Sequence, residues 1–242
     1  MSEEEKIEKN IIYGRNTILE ALNSEAKVNK IWHDANFSPK IIDILELART
    51  KKIPVMQVQK QKLYDLAGTN EHRSIVAELS PIEFIEEKDF LKHDFKKILI
   101  AVNVQDPHNL GAIIRSAYAF GIDAVCYTAR NSAQLNNTVL TSSAGAALKT
   151  NLVRINNVTN FIKTLKDNKY WVYASVVEPE SSESLNNIKF DDMSAILVGN
   201  EGKGLSDKIV KHCDFTVHIP VRFNSLNVSV ATAIICNKIY NN

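Results

Sequence analysis

Residues 97–104, KILIAVNV, are a nearly continuous apolar run in the middle of the chain. A strand with one wet face alternates apolar and polar residues. A run without alternation suits a strand buried on both faces, and that burial is characteristic of parallel sheets covered by helices. The segments that follow keep the pattern expected of such a sheet. Helices are predicted over 110–120, 137–147, 158–167, 205–213 and 226–240, and strands over 123–127, 152–155, 170–176, 195–199 and 215–219. Alternating strands and helices predict an α/β fold with a mostly parallel sheet, whose ligands bind in loops at the carboxyl ends of the strands.

The region before the run reads as a second, smaller α/β domain. Residues 17–22 and 41–48 carry apolar side chains at helical spacing, while 30–33, 53–58 and 74–79 read as strands. Residues 81–96 are charge-dense and are expected to form a linker with a short helix, and residues 1–10 a solvated tail. The expected division is therefore tail 1–10, small domain 11–80, linker 81–96 and large domain 97–242.

Bulk properties exclude several classes. Cys126, Cys213 and Cys236 are odd in number and widely spaced, with no CxxC pair, so neither a disulfide framework nor a metal site is expected. The N-terminus MSEEEKIEKN is too acidic for a signal peptide, and no stretch is long and apolar enough to span a bilayer. A cytoplasmic protein with reduced thiols and no membrane partner is expected. The net charge is +1, and residues 1–80 carry 12 basic and 12 acidic side chains, so composition by itself makes no case for nucleic acid.

Three segments at strand-to-helix junctions carry the chemistry. In DPHNLGAIIR, 106–115, Asn109 stands near a helix start and Arg115 six residues on. By spacing alone Asn109 serves as well for an N-cap and Arg115 for a solvated surface residue. In LVGNEGKGLS, 197–206, Gly199, Gly202 and Gly204 leave a strand, where they let a backbone approach a ligand. This loop is not a P-loop, because Leu197 stands where the first glycine is needed and Gly204 where Ser or Thr is needed. Its order of glycines also reverses the dinucleotide fingerprint, which weakens a nucleotide-dependent oxidoreductase reading. Glu201 would repel a phosphate on the loop and suits a cationic ligand. In the third segment, 218–233, a strand ends at Ile219-Pro220 and a helix is expected to open near Ser225, with Asn224 or Ser225 as its cap. Ser225, Asn227 and Ser229 put polar groups at the positive end of that helix.

Taken together and in order, DPHNLGAIIRSA, ILVGNEGKGLS and IP followed by SLNVSVATA closely resemble the three motifs of the SpoU/TrmH family within the SPOUT class of methyltransferases. The intervening AFGIDAV, SAQL and SAGAA fit as well. The resemblance covers 97–240. Residues 11–80, with YGRNTILEAL and SIVAEL, resemble the family's N-terminal RNA-binding domain. Two departures stand out: Ser74 takes the place of a usual glycine, and the loop between Pro220 and Ser225 is short and lacks one.

The resemblance implies a C-terminal deep trefoil knot holding a bent S-adenosylmethionine, and a homodimer whose active sites draw on both chains. It also implies transfer of a methyl group to a ribose 2′-hydroxyl of RNA, with the members acting on a guanosine of 23S ribosomal RNA the nearest in type. A tRNA substrate and a non-catalytic RNA-binding role in ribosome assembly are the alternatives, the latter disfavoured by intact Asn109, Arg115 and Glu201. Residue by residue, it implies Asn109, Arg115, Glu201, Ser225 and Asn227 as catalytic, and Gly199, Gly202, Ile219 and Leu226 as cofactor-binding. Because an arginine is almost never deprotonated, Arg115 is expected to stabilise a forming alkoxide electrostatically and not to act as a literal base.

Overall fold

The computed structural model describes residues 10–177, 180, 182–222 and 225–242. Asn224 and most of the expected tail lie outside them, and Asn10 opens the first strand. The chain divides into two compact units: one runs up to Glu83 and includes Leu135–Lys149, and the other comprises Phe84–Gln134 and Thr150–Asn242.

The first unit is built on a mixed four-stranded sheet with order β1-β4-β2-β3, from β1 (Asn10–Tyr13), β2 (Val28–Asp34), β3 (Val55–Val58) and β4 (Ile75–Leu79). β4 pairs antiparallel with both β1 and β2, and β3 lies parallel to β2. Helices α1 (Arg15–Leu22), α2 (Ile42–Thr50) and α3 (Lys60–Ala67) cover it. β1 and α3 were not anticipated. Each has only a few apolar positions, and their packing, with Ile11, Leu63 and Val76 in one buried cluster, is what sustains them.

The second unit holds eight parallel strands in the order β10-β12-β9-β11-β6-β7-β8-β5. They are β5 (Ile85–Glu86), β6 (Lys97–Ala101), β7 (Ala124–Thr128), β8 (Asn151–Ile155), β9 (Trp171–Ser175), β10 (Glu183–Ser184), β11 (Ser194–Val198) and β12 (Phe215–His218). Ile98, Leu99, Ile100 and Ala101 are fully buried, as a central strand covered on both faces requires. The helices are α4 (Pro107–Ala119), α6 (Val158–Asp167), α7 (Asp207–Val210) and α8 (Val228–Tyr240), while α5 (Asn137–Ser142) falls in the segment grouped with the first unit.

Three expectations need correction. Residues 84–96 are not a linker. Ile85 and Glu86 add an edge strand beside β8, and Phe90 and Phe95 enter the core, Phe90 packing edge-on against Phe161 at 5.0 Å. The charges around these two rings hid them. The helix over 137–147 stops at Ser142, because Ala144 (φ 52°) and Gly145 (φ 87°) take left-handed backbone. The helix expected over 205–213 is a single turn, Asp207–Val210.

Candidate active site

The loops carrying the three segments leave the carboxyl ends of β6, β11 and β12. β6 and β11 are direct neighbours, and their pairing continues one step past the strands, with Val102 N–H donating to the Val198 carbonyl at 2.9 Å. Segments almost a hundred residues apart in sequence therefore emerge side by side.

Asp106, not Asn109, caps α4, accepting the His108 backbone N–H at 2.8 Å with Pro107 in the first turn. Asn109 is thus released from backbone work. Its side-chain amide donates to Glu201 Oε1, and its Oδ1 accepts from Asn227 Nδ2 at 3.1 Å. Asn227, and not Asn224 or Ser225, caps α8: its Oδ1 accepts the Ser229 backbone N–H at 2.9 Å and the Ser229 hydroxyl at 2.6 Å. One residue from each segment joins a single polar chain, Asn227 to Asn109 to Glu201.

Beside it lies a cavity of about 390 Å³ lined by Val198, the loop 199–205, Ile219, Val221, Ser225, Leu226, Val228, Ala231 and the end of β9, Ser175 to Val177. Cofactor pockets typically measure about 300–1,000 Å³. All four expected cofactor residues, Gly199, Gly202, Ile219 and Leu226, line it, together with Glu201 and Ser225. The glycine loop closes on itself. Gly204 N–H donates to the Asn200 carbonyl at 3.0 Å, and Lys203 N–H to Asn200 Oδ1 at 2.8 Å. A Cβ on Gly199 would sit 2.2 Å from the Gly204 carbonyl carbon, so the closure itself requires that glycine. Gly202 is different: a Cβ there meets nothing within 4 Å, so packing does not require that glycine. The residues Ser175, Val176, Val177 and Lys203 were missed in the sequence. The strand at 170–176 was readable, but its adjacency to β11 was not.

Arg115 is not brought into this cluster. It lies exposed on α4, six residues along the helix from Asn109. Among the described residues no set of three or more His, Cys, Asp and Glu side chains is arranged to hold a metal ion, and no helix is long and apolar enough to cross a membrane. Burial pushes the Cys213 and Cys236 thiols up to about 12, and that of Cys126 further still.

The α/β unit brings the three motif loops together on one polar chain beside a glycine-lined cavity, and the comparisons with known proteins give the class of protein. The SpoU rRNA methylase family matches residues 96–237, and the RNA 2′-O ribose methyltransferase substrate-binding domain matches 11–85. A candidate TrmH family tRNA/rRNA methyltransferase of Staphylococcus epidermidis is 34% identical over 238 residues, covering 95% of this chain and 94% of its own. Two solved structures share the fold. The SpoU methyltransferase AviRb of Streptomyces viridochromogenes, in complex with AdoMet, has a TM-score of 0.78 at 21% identity, covering 96% of this chain and 90% of that one. An AdoMet-bound rRNA methyltransferase of Sinorhizobium meliloti has a TM-score of 0.79 at 19% identity, covering 96% and 87%. The chain belongs to the SpoU rRNA methylase family, whose members methylate RNA at the ribose 2′-oxygen and whose fold implies the trefoil knot.

Proposed function

We propose that this protein transfers a methyl group from S-adenosylmethionine to a ribose 2′-hydroxyl of RNA, and that its target is a guanosine of 23S ribosomal RNA. The observation that carries the reading is the Asn227–Asn109–Glu201 chain beside the glycine-lined cavity. Neighbours of the same fold hold AdoMet, and the residues here suit it. Val198, Ile219 and Leu226 offer apolar surface for an adenosine, bare glycines allow close backbone approach, and Glu201 offers a negative charge to a cation.

S-adenosylmethionine, when bound, supplies an electrophilic methyl group on a sulfonium. The 2′-oxygen forms its new bond to that methyl carbon as the sulfur–carbon bond breaks, and the hydroxyl proton passes to solvent. Holding the two in line can contribute up to about 7–11 kcal/mol in a well-aligned site. Asn109 and Glu201 fix each other's orientation, and Ser225 and Asn227 orient ribose or phosphate at the start of α8. Arg115 stabilises negative charge developing on the 2′-oxygen and clamps a neighbouring phosphate.

Since Arg115 stands outside the cluster of its own chain, it is assigned to the site of a second copy in a homodimer. The α4–α8 surface supports this, with Tyr118, Val230, Ile234 and Tyr240 exposed. The protein is assigned to the cytoplasm with its RNA, which residues 11–80 bind. Mapping 2′-O-methyl positions in RNA from cells with and without the gene tests the reading. Loss of one 23S guanosine methylation supports it, and loss of a tRNA methylation instead moves the substrate.

A further inference from the structure

Among the described residues, Glu201 and Lys203 are the charged side chains that line the cavity, and they sit two residues apart on one closed loop. Their charges are not equally engaged. Glu201 accepts a hydrogen bond from Asn109, whereas the Lys203 ammonium makes no ion pair among the described residues. Its backbone, by contrast, is fixed. Asn200 Oδ1 holds the Lys203 N–H at 2.8 Å, and Asn200 and Gly204 close the turn around it. A lysine on a fixed backbone therefore lines a cavity that also offers apolar surface at Val198, Ile219 and Leu226, and the neighbouring carboxylate is already partnered.

S-adenosylmethionine has one negative group, the carboxylate of its methionine end, and two positive ones, the sulfonium and the ammonium. Resting on the cofactor reading above, we propose that Lys203 binds the cofactor's carboxylate, and so selects a ligand carrying an intact amino-acid end. Under this assignment Glu201 would face the cofactor's cationic centres and Lys203 its carboxylate, so that unlike charges pair at both ends. Glycines flank Lys203 in sequence, and a Cβ built on either Gly202 or Gly204 would meet nothing within 4 Å. The competing description is a solvated lysine on an exposed turn, which is the ordinary state of such a residue and leaves cofactor affinity untouched.

The two descriptions separate in a binding cycle measured by calorimetry on the intact protein without RNA. The ligands are S-adenosylmethionine and its decarboxylated analogue, which keeps the nucleoside, the sulfonium and the ammonium. The unmodified protein is expected to bind the analogue about tenfold more weakly. Lys203→Met is expected to lose about tenfold for S-adenosylmethionine and to bind both ligands equally, while Lys203→Arg keeps most of the discrimination. The Lys203 side chain holds no part of the fold, so the melting temperature of each variant stays near that of the unmodified protein. If Lys203→Met discriminates between the ligands as the unmodified protein does, the assignment is overturned. The same holds if Lys203→Met binds S-adenosylmethionine as tightly as the unmodified protein does. If the unmodified protein binds neither ligand, the cofactor reading fails first and the assignment falls with it.

Discussion

The Asn227 amide donates to the Asn109 carbonyl oxygen at 3.1 Å, joining the start of α8 to the first turn of α4 across 118 residues of sequence. Asn109 can hold this position only as an amide, because it donates to Glu201 with one end and accepts from Asn227 with the other. Asn109→Asp removes the donor and sets a second carboxylate against Glu201. Methyl transfer is expected to fall by about 10²-fold. Because the cluster is largely exposed, unfolding free energy should change by no more than about 1 kcal/mol. A Tm drop as large as that of a core mutant, with activity in proportion to the folded fraction, would make the chain a structural feature only.

The glycines of the loop divide by function. Gly199→Ala places a methyl group 2.2 Å from the Gly204 backbone and is expected to destabilise by about 1–3 kcal/mol, visible in thermal unfolding without ligand. Gly202→Val meets no atom within 4 Å. Its stability is expected to stay within about 0.5 kcal/mol, while S-adenosylmethionine affinity drops. Calorimetry and melting on the two variants check this. Full cofactor affinity in Gly202→Val would remove that glycine from the site.

Spacing alone left Asn109 and Arg115 open between structural and functional roles, and the expected site residues came from the resemblance of the three segments to the family's motifs. The apolar run at 97–104 announced a doubly buried strand because its burial is a local signal. The pairing of Asn109 with Glu201 depends on β11 lying next to β6, a relation between segments 92 residues apart that no periodicity encodes. The cap of α8 was misplaced for a different reason. Asn224, Ser225 and Asn227 are all good cappers, and only the Ser229 N–H reveals which one is used. Asp106 capping α4 was overlooked because the motif drew attention to Asn109. Phe90 and Phe95 were lost among lysines and acids, although two aromatic rings in a charged stretch were the available sign of a buried edge.

Ser74 occupies a left-handed conformation, φ 66°, next to Arg73 at φ 49°. The residue usual at this position, glycine, enters that region without a Cβ penalty. Ser74 recovers part of the cost locally, its N–H donating to His72 Nδ1 at 3.1 Å and its hydroxyl to the Asn36 carbonyl at 3.4 Å. Ser74→Gly is expected to gain about 0.5 kcal/mol, the strain relief being set against glycine's greater backbone entropy. Denaturant unfolding checks the sign, and a loss above about 1 kcal/mol would show that the hydroxyl matters more than the backbone.

His72 is buried, and its Nε2 has no hydrogen-bond partner among the described residues. Burial lowers its pKa from the ordinary 6.5 and nearby Lys60 lowers it further, against an opposing pull from Asp34. The fold therefore favours the neutral ring. That contribution to stability is complete above pH 6.5 and declines as pH falls toward the lowered folded value. Thermal unfolding from pH 7.5 to 5.5 should show this decline, and His72→Gln should flatten it. An unchanged slope in the variant would assign the decline to other groups.

Single-turnover methylation by Arg115→Ala, measured beside its S-adenosylmethionine affinity, tests the proposed mechanism most directly. Arg115 is exposed and sits apart from the Asn109 cluster of its own chain, so a merely solvated residue could be replaced with a change of no more than about 0.5 kcal/mol in stability and none in rate. A residue that stabilises charge on the 2′-oxygen costs about 10²–10³ in rate when removed, and Arg115→Lys, which lacks the planar fork, restores little of it. The account predicts that large loss of rate with cofactor affinity retained. Methylation by Arg115→Ala at close to the unmodified rate would contradict it.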